Sequence, residues 1–334
     1  MIEFRVNDYS CVDWDQMILG AEGQSLIQSW EYGAAKADTG PWRVERGEFV
    51  ADGHIIAVCQ ILLRDLPLIG GGLAWVNRGP LVLPAQSQVK EVNASVLIDA
   101  LATNYCDQGA YYLRLAPPTV FAPASSKAKA TETLGWASAT IDLSIDIETL
   151  RKNLNQKWRN CLNKAERLSL EVREGTDQET FAHFLKAHDG FLKAAGFDAS
   201  LDSKLLACLQ DHTPESRKMT ALLAFDKGDM VGSVLIAKFG ETCEYLAGNS
   251  TDHGRKNNVG QLLLWNAIVA MKDQGFKQFD VGGMDEFLTP SGILRFKKGL
   301  GGVPYRLANE LESINVSWRG KIVRSRVQRA RKTL

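Results

Sequence analysis

The spacing of hydrophobic positions repeats along the chain. After Asp52-Gly53 comes His54-Ile55-Ile56-Ala57-Val58-Cys59-Gln60-Ile61, and after Lys227-Gly228 comes Asp229-Met230-Val231-Gly232-Ser233-Val234-Leu235-Ile236. A Gly-bearing turn ahead of a run rich in β-branched residues predicts a β-hairpin at both places. Downstream of the first, Val92, Val96, Leu97, Ala100, Leu101 and Tyr105 keep helical spacing within residues 91–108. Downstream of the second, Leu262, Leu263, Ile268 and Met271 do the same within residues 260–274. Both helices stop at a similar signal, Asp107-Gln108-Gly109 and Asp273-Gln274-Gly275, with Gly just past the last turn. Strands follow over residues 111–115 and 276–281.

Hairpin, helix, glycine and strand, twice in the same order, predict a duplicated α/β chain. Its 334 residues suit two domains of about 150 each. The join is expected near residues 143–147, ahead of a charged helix over 148–168, so the first domain spans 1–145 and the second 146–316. The Ala/Ser/Lys stretch at 122–131 reads as a mobile surface loop.

Composition narrows the class. At 45% hydrophobic and 23% charged the chain is an ordinary globular one, which excludes collagen-like, disordered and disulfide-framework proteins. Charge balances, 39 basic against 39 acidic residues, yet seven of the basic ones and no acid fall within residues 319–334. The body is therefore acidic, and the tail attracts phosphates on nucleic acid or on a membrane surface. Six cysteines (Cys11, Cys59, Cys106, Cys161, Cys208, Cys243) stand apart without a CxxC pair, which reads as buried thiols in a reducing compartment. The N-terminus has no signal-peptide pattern, and uncharged stretches such as 66–77 fall short of a membrane span, so a cytoplasmic location is expected. The five histidines show no metal spacing and no Ser-His-Asp or Cys-His pairing, so neither a metal nor a covalent enzyme intermediate is expected.

Several segments carry candidate chemistry. Residues 248–260 form a polar loop leading into the second predicted helix. Within it, Arg255-Lys256-Asn257-Asn258-Val259-Gly260 is similar to the Arg-x-x-Gly-x-Gly turn of GNAT-type acyl-CoA transferases, which presents backbone N–H groups to a pyrophosphate. Asn258 stands where the first Gly belongs, and Asn tolerates positive φ. Gly70-Gly71-Gly72 is either a plain turn or a place where backbone meets a ligand, with Trp75 as an apolar wall. Lys36 ends a short amphipathic helix, and Arg295, Lys297 and Lys298 lie in a Gly-flanked segment. Arg151, Lys152, Lys157, Arg159, Lys164 and Arg167 make a basic helix.

Six segments in order carry a resemblance. They are Gln28-Ser29-Trp30-Glu31-Tyr32 with Lys36 beyond; Arg78-Gly79-Pro80; Lys157-Trp158-Arg159-Asn160 with Lys164-Ala165-Glu166; Tyr245-Leu246-Ala247-Gly248; Asp280-Val281-Gly282-Gly283; and residues 296–302, Phe296 to Gly302. In these the chain resembles the FemABX family, aminoacyl-tRNA-dependent transferases that add amino acids to peptidoglycan precursors. It lacks the long heptad arm of larger members, so the armless branch is the nearer one.

The resemblance implies an α/β fold of two tandem GNAT-like domains, mixed sheets flanked by helices, with a cleft between the halves and residues 317–334 folding back on the first. It implies transfer of an activated aminoacyl or acyl group to an amine of a cell-envelope, peptidoglycan or polysaccharide precursor. Lys297 would stabilise the oxyanion, where one positioned donor is worth about 3–4 kcal/mol, and Tyr245 would orient the acceptor amine. Lys36, Trp30, Gly70, Gly71, Gly72, Trp75, Arg78, Gly282, Gly283 and Arg295 would line the acceptor site. The donor would be aminoacyl-tRNA with no bound cofactor, held on Arg151, Lys157, Arg159 and the basic tail; those strips would equally suit anionic lipid at the inner membrane face. The alternative donor is acyl-CoA, taken through Arg255, Asn258 and Gly260. Two departures point to an acceptor other than a uridine-diphosphate muropeptide. Ala116 stands where armless relatives carry an acid, and Ala195 stands where an Arg precedes Gly-Phe. They also admit a catalytically degenerate binding module.

Overall fold

The computed structural model describes residues 2–21, 23–67, 70–83, 92–107, 111–120, 124–195, 201–314 and 318–332. The chain divides into two units, Met1–Trp136 with Arg306–Leu334, and Ala137–Tyr305. The first begins with β1 (Glu3–Val6), α1 (Cys11–Leu19), α2 (Trp30–Thr39), β2 (Arg43–Ala51), β3 (His54–Leu66), β4 (Gly71–Asn77) and β5 (Leu81–Val82). It continues with α3 (Ala94–Ala102), β6 (Tyr111–Ala116) and β7 (Lys129–Ala130). The second holds β8 (Ala137–Asp142), α4 (Ile147–Asn153), α5 (Gln156–Ala165), β9 (Glu171–Gly175), α6 (Gln178–Ala195), α7 (Ser203–His212), β10 (Thr220–Asp226) and β11 (Asp229–Phe239). There follow β12 (Thr242–Ser250), α8 (Asp252–Lys256), α9 (Val259–Asp273), β13 (Gln278–Asp280), α10 (Ser291–Lys298) and β14 (Val303–Arg306). The chain returns to the first unit as β15 (Leu311–Ile314) and α11 (Trp318–Lys332).

Both sheets are mixed and share one plan. Their strand orders are β1-β2-β3-β4-β6-β15-β7 and, read the same way, β9-β10-β11-β12-β13-β8-β14. Each central strand is a long apolar run buried on both faces, residues 56–63 in β3 and 231–239 in β11. The hairpins predicted from Asp52-Gly53 and Lys227-Gly228 form with positive φ at both turn residues, the geometry that matches strand twist. Each is preceded, at the same offset from its turn, by a register shift, between Phe49 and Val50 and between Ala224 and Phe225. One parallel pairing follows the helix in each unit, β4 with β6 and β12 with β13.

The sequence places the join near residue 145, whereas the units divide between Trp136 and Ala137 and again before Arg306. Strand pairing explains the difference: β8 hydrogen-bonds β13, and β15, from the far end of the chain, fills the corresponding place beside β6. The single charged helix expected over 148–168 is two helices, because Leu154 turns to extended backbone (ψ 138°) and Asn155 caps α5 through Lys157 N. Within the stretch read as a mobile loop, Ser125, Ser126 and Lys127 are tied to the Asp99 carboxylate, and β7 pairs with β15. Cys59, Cys106 and Cys243 are buried, but Cys11, Cys161 and Cys208 are only half-buried. Among the described residues, no helix is long and apolar enough to cross a membrane.

Return of the chain to the first unit is secured by polar groups inside it. Arg114 of β6 and Glu310, just before β15, form an ion pair that is nearly fully buried. Glu312 accepts from Tyr112 Oη and from Arg324 of α11, whose Val323 is buried against Tyr112. Removing one partner leaves the other charge buried without compensation. Glu310→Ala is therefore expected to lower stability by about 3–5 kcal/mol in denaturant unfolding, more than a surface carboxylate change by several-fold.

Candidate active site in the second unit

Two parallel strands part company in the second unit. β12 pairs with β13 only from Thr242/Gln278 to Glu244/Asp280. Beyond Asp280 the chain leaves the ladder through Gly282, at φ +72°. Asp280 anchors that departure: its carboxylate accepts from Ser138 Oγ, Tyr305 Oη and Gly282 N. β12 meanwhile continues to Ser250 and bulges at Leu246, the extra residue between Tyr245 and Ala247 in its ladder with β11. The corresponding strands of the first unit behave differently. There β4 and β6 stay paired over six residues, from Gly72/Tyr111 to Asn77/Ala116, and β3 meets β4 without a register shift.

Lys297 occupies the place where the strands separate. In α10, residues 294 and 297 share a face, and that face points inward. Arg295 and Lys298 point outward and are exposed, whereas Lys297 is only 8% exposed. Its Nζ donates to Gly283 O at 3.0 Å and lies 5.1 Å from the centre of the Tyr245 ring. Gly282 is closely fitted here, since a Cβ would lie 3.1 Å from that Nζ and 2.5 Å from Tyr245 O. Burial pushes the Lys297 ammonium down to about 8, with Asp280 and Glu244 opposing the change. Burial likewise raises the Tyr245 phenol to about 12, so it keeps its proton and can donate. Gly248 makes room for that hydroxyl, because a Cβ there would lie 2.3 Å from it.

Lys297, Tyr245, Gly282 and Gly283 thus come together, and Arg295 does not join them. It lines a cavity of about 540 Å³ with Lys157, Lys298, Cys161, Gln261 and the rings of Trp158 and Phe296. Trp158 is 4% exposed and its indole Nε1 has no hydrogen-bond partner among the described residues. Arg151 and Arg159 are committed internally, the first to Glu166 and Asn163, the second to carbonyls of Arg151 and Lys152. Of the three cations assigned to tRNA on this helix pair, Lys157 alone lines the cavity.

Asn258 adopts the left-handed conformation (φ 58°, ψ 33°) directly before α9, as the turn requires of the residue replacing Gly. Gly260 lies under Phe296, 3.5 Å from where its Cβ would stand. Arg255 is held by Ser250 O and Asp252, and borders a separate cavity of about 510 Å³ with Phe191, Met230 and Thr251.

The candidates of the first unit are placed as follows. Gly70, at φ +66°, closes the turn into β4, and a Cβ on Gly72 would strike Arg64 O at 2.1 Å. The close approach that Gly72 allows is thus to the neighbouring strand, whereas a Cβ on Gly70 would lie 3.4 Å from the Arg319 guanidinium of α11. Trp30 carries the Arg46 guanidinium 3.7 Å above its ring, and Lys36 Nζ lies 6.0 Å from the Trp42 ring. Trp75 sits across from Arg114 in the β4–β6 ladder. Arg78 N donates to Ala116 O, and its guanidinium faces Trp136 at 5.0 Å. The Trp30 and Arg78 segments meet through Gln28, which bonds Asn77 O and Gln60, while Gln60 Nε2 bonds Ile27 O and Ser29 O. Gly196-Phe197 and the Ala195 side chain lie outside the described residues.

Sequence reasoning missed the Leu246 bulge, the anchoring role of Asp280 and the Gln28–Gln60 interlock. For Gln60 a signal existed: a lone polar residue inside the apolar run of β3. For the bulge none did, because Tyr245-Leu246-Ala247-Gly248 alternates no differently from a regular strand.

Residues 149–298 match the family model of an acetyltransferase (GNAT) domain. No curated protein matches the chain by sequence. Among solved structures it is similar to FemX, at 14% identity over 93% of this chain and 97% of that one, with a TM-score of 0.76. It is also similar to the C-terminal domain (DUF2156) of a putative lysylphosphatidylglycerol synthetase from Agrobacterium fabrum, at 14% identity, 95% and 97% coverage and a TM-score of 0.58. A tandem GNAT protein from the clavulanic acid biosynthesis pathway gives 12% identity, 94% and 98% coverage and a TM-score of 0.51. The chain therefore has a tandem GNAT fold, and residues 149–298 of its second unit match a GNAT acetyltransferase domain.

Proposed function

We propose that the chain transfers an activated aminoacyl or acyl group to an amine of a cell-envelope precursor, with the split between β12 and β13 as the place of transfer. The observation that carries this reading is Lys297: a buried ammonium beside unpaired strand edges, with no carboxylate bonded to it among the described contacts. Acyl transfer from an ester builds negative charge on the carbonyl oxygen, and a positioned cation in a dry site stabilises that charge. Tyr245, protonated throughout the physiological range, would hold the attacking amine. An ester already activated needs no enzyme nucleophile. The cavity bounded by Lys157, Arg295 and Lys298 suits the phosphates of the donor's leaving end, with Trp158 and Phe296 as ring surfaces. Similarity to FemX and to the lysylphosphatidylglycerol synthetase domain supports an aminoacyl donor and an envelope acceptor.

One observation favours the second reading, an acyl-CoA donor: Asn258 takes the left-handed conformation that a pyrophosphate nest before α9 calls for. Calorimetry with CoA, run beside transfer from charged tRNA, separates the two donors; tight CoA binding without tRNA-dependent transfer would favour this second one.

Lys297→Met should lower the transfer rate by roughly 10²–10³-fold while leaving the fold intact. Wild-type rate should fall as pH rises through about 8, where the ammonium loses its proton, and Lys297→Arg should shift that limb upward or abolish it. Unchanged transfer in Lys297→Met ends the catalytic assignment.

Stability should move the other way. The folded chain binds fewer protons at this site than the unfolded one between pH 8 and the usual 10.5, so burial of the ammonium weakens folding below pH 8 and the loss recovers toward pH 10.5. Lys297→Met should therefore be more stable than wild type by about 3 kcal/mol at pH 7, and nearly equal to it above pH 11, by thermal unfolding.

A further inference from the structure

The outer face of α11 carries a pattern that the fold does not use. Gly320 and Val323 are buried and Val327 half-buried toward the first unit's sheet, and Arg324 is tied to Glu312. On the opposite side, helical spacing aligns Trp318, Ile322, Ser325 and Arg329 in one stripe. Trp318 is 63% exposed and Ile322 37%. Arg319, Lys321 and Arg326 flank that stripe and are exposed. No acidic residue follows Glu312 in the chain.

A mostly exposed indole and a partly exposed β-branched aliphatic side chain, set within a field of cations, belong to no hydrophobic cluster among the described residues. Nucleic acid would use the cations and could stack on the indole, but it gains nothing from Ile322. A lipid–water interface uses all of them. The indole rests at headgroup level, the aliphatic side chain enters the acyl boundary, and the cations meet anionic headgroups. We infer that α11 docks this chain on an anionic lipid surface. The inference does not rest on the transfer chemistry, since a chain without transferase activity would still bind vesicles.

Co-sedimentation with vesicles tests it, using pure phosphatidylcholine and the same lipid with about a third phosphatidylglycerol. The full chain should partition onto the anionic vesicles and not onto the neutral ones. Lys321→Ser with Arg326→Ser should lower partitioning roughly 25-fold, about fivefold per cation. Trp318→Ser with Ile322→Ser should lower it roughly tenfold, and that loss should persist in salt that screens the charges. Both pairs are solvent-facing, and unchanged circular dichroism and unfolding midpoints confirm that the variants fold. Equal binding to both vesicle types, or full binding by the Trp318/Ile322 variant, overturns the inference. So does absence of vesicle binding together with tRNA retention that the Lys321/Arg326 variant loses, which would make α11 a nucleic-acid surface.

Discussion

The second unit is organised around the early end of one ladder. After Glu244 and Asp280, β12 and β13 no longer hydrogen-bond each other, and whatever fills the gap meets a half-buried edge of β12 and the buried segment that follows Asp280. Lys297 enters that environment without a bonded carboxylate among the described residues. A full ammonium there is disfavoured by desolvation, which is why its proton is held so weakly. Such a group weakens the fold unless some other demand keeps it. The demand we propose is charge developing on a substrate carbonyl, since a preorganised cation shielded from water acts more strongly than one in bulk water.

Asp280 sets the geometry. Three donors converge on its carboxylate, from Ser138, Tyr305 and the backbone of Gly282, and they fix where the chain leaves the sheet. Gly282 then takes a conformation that side chains resist, close against both Tyr245 O and Lys297 Nζ. The bulge at Leu246 turns β12 at the same level. An anchored exit, a left-handed glycine and a bulge are three local departures from regular sheet, gathered around one cation. Departures of this kind concentrate at functional places in otherwise regular folds.

The first unit has the same strand order and none of this opening. Its β4 and β6 remain zipped to the end, and its polar residues lock segments together: Gln28 with Gln60, Arg46 on Trp30, Arg114 with Glu310. The match of residues 149–298 to the GNAT acetyltransferase domain falls on the unit that is split. The two sheets share one plan and differ in pairing length, and the split one is where we propose that transfer takes place.

The sequence by itself determined the repeat, both Gly-bearing hairpins, the helix of the second unit ending just before Gly275, and the residue types of the Lys297 and Tyr245 segments. These are local or periodic features: turn residues act through their own φ, and helices through spacing of three to four residues. Tertiary structure alone decided the division at Trp136 and Arg306, because β8 and β15 choose sheets by pairing with strands far away in sequence. It alone decided that Lys297 points inward while Arg295 and Lys298 point outward, that Gly72 packs against Arg64 of the neighbouring strand, and that β12 and β13 part after three residue pairs. Burial and strand separation depend on what packs opposite, and no stretch of sequence states its own partner.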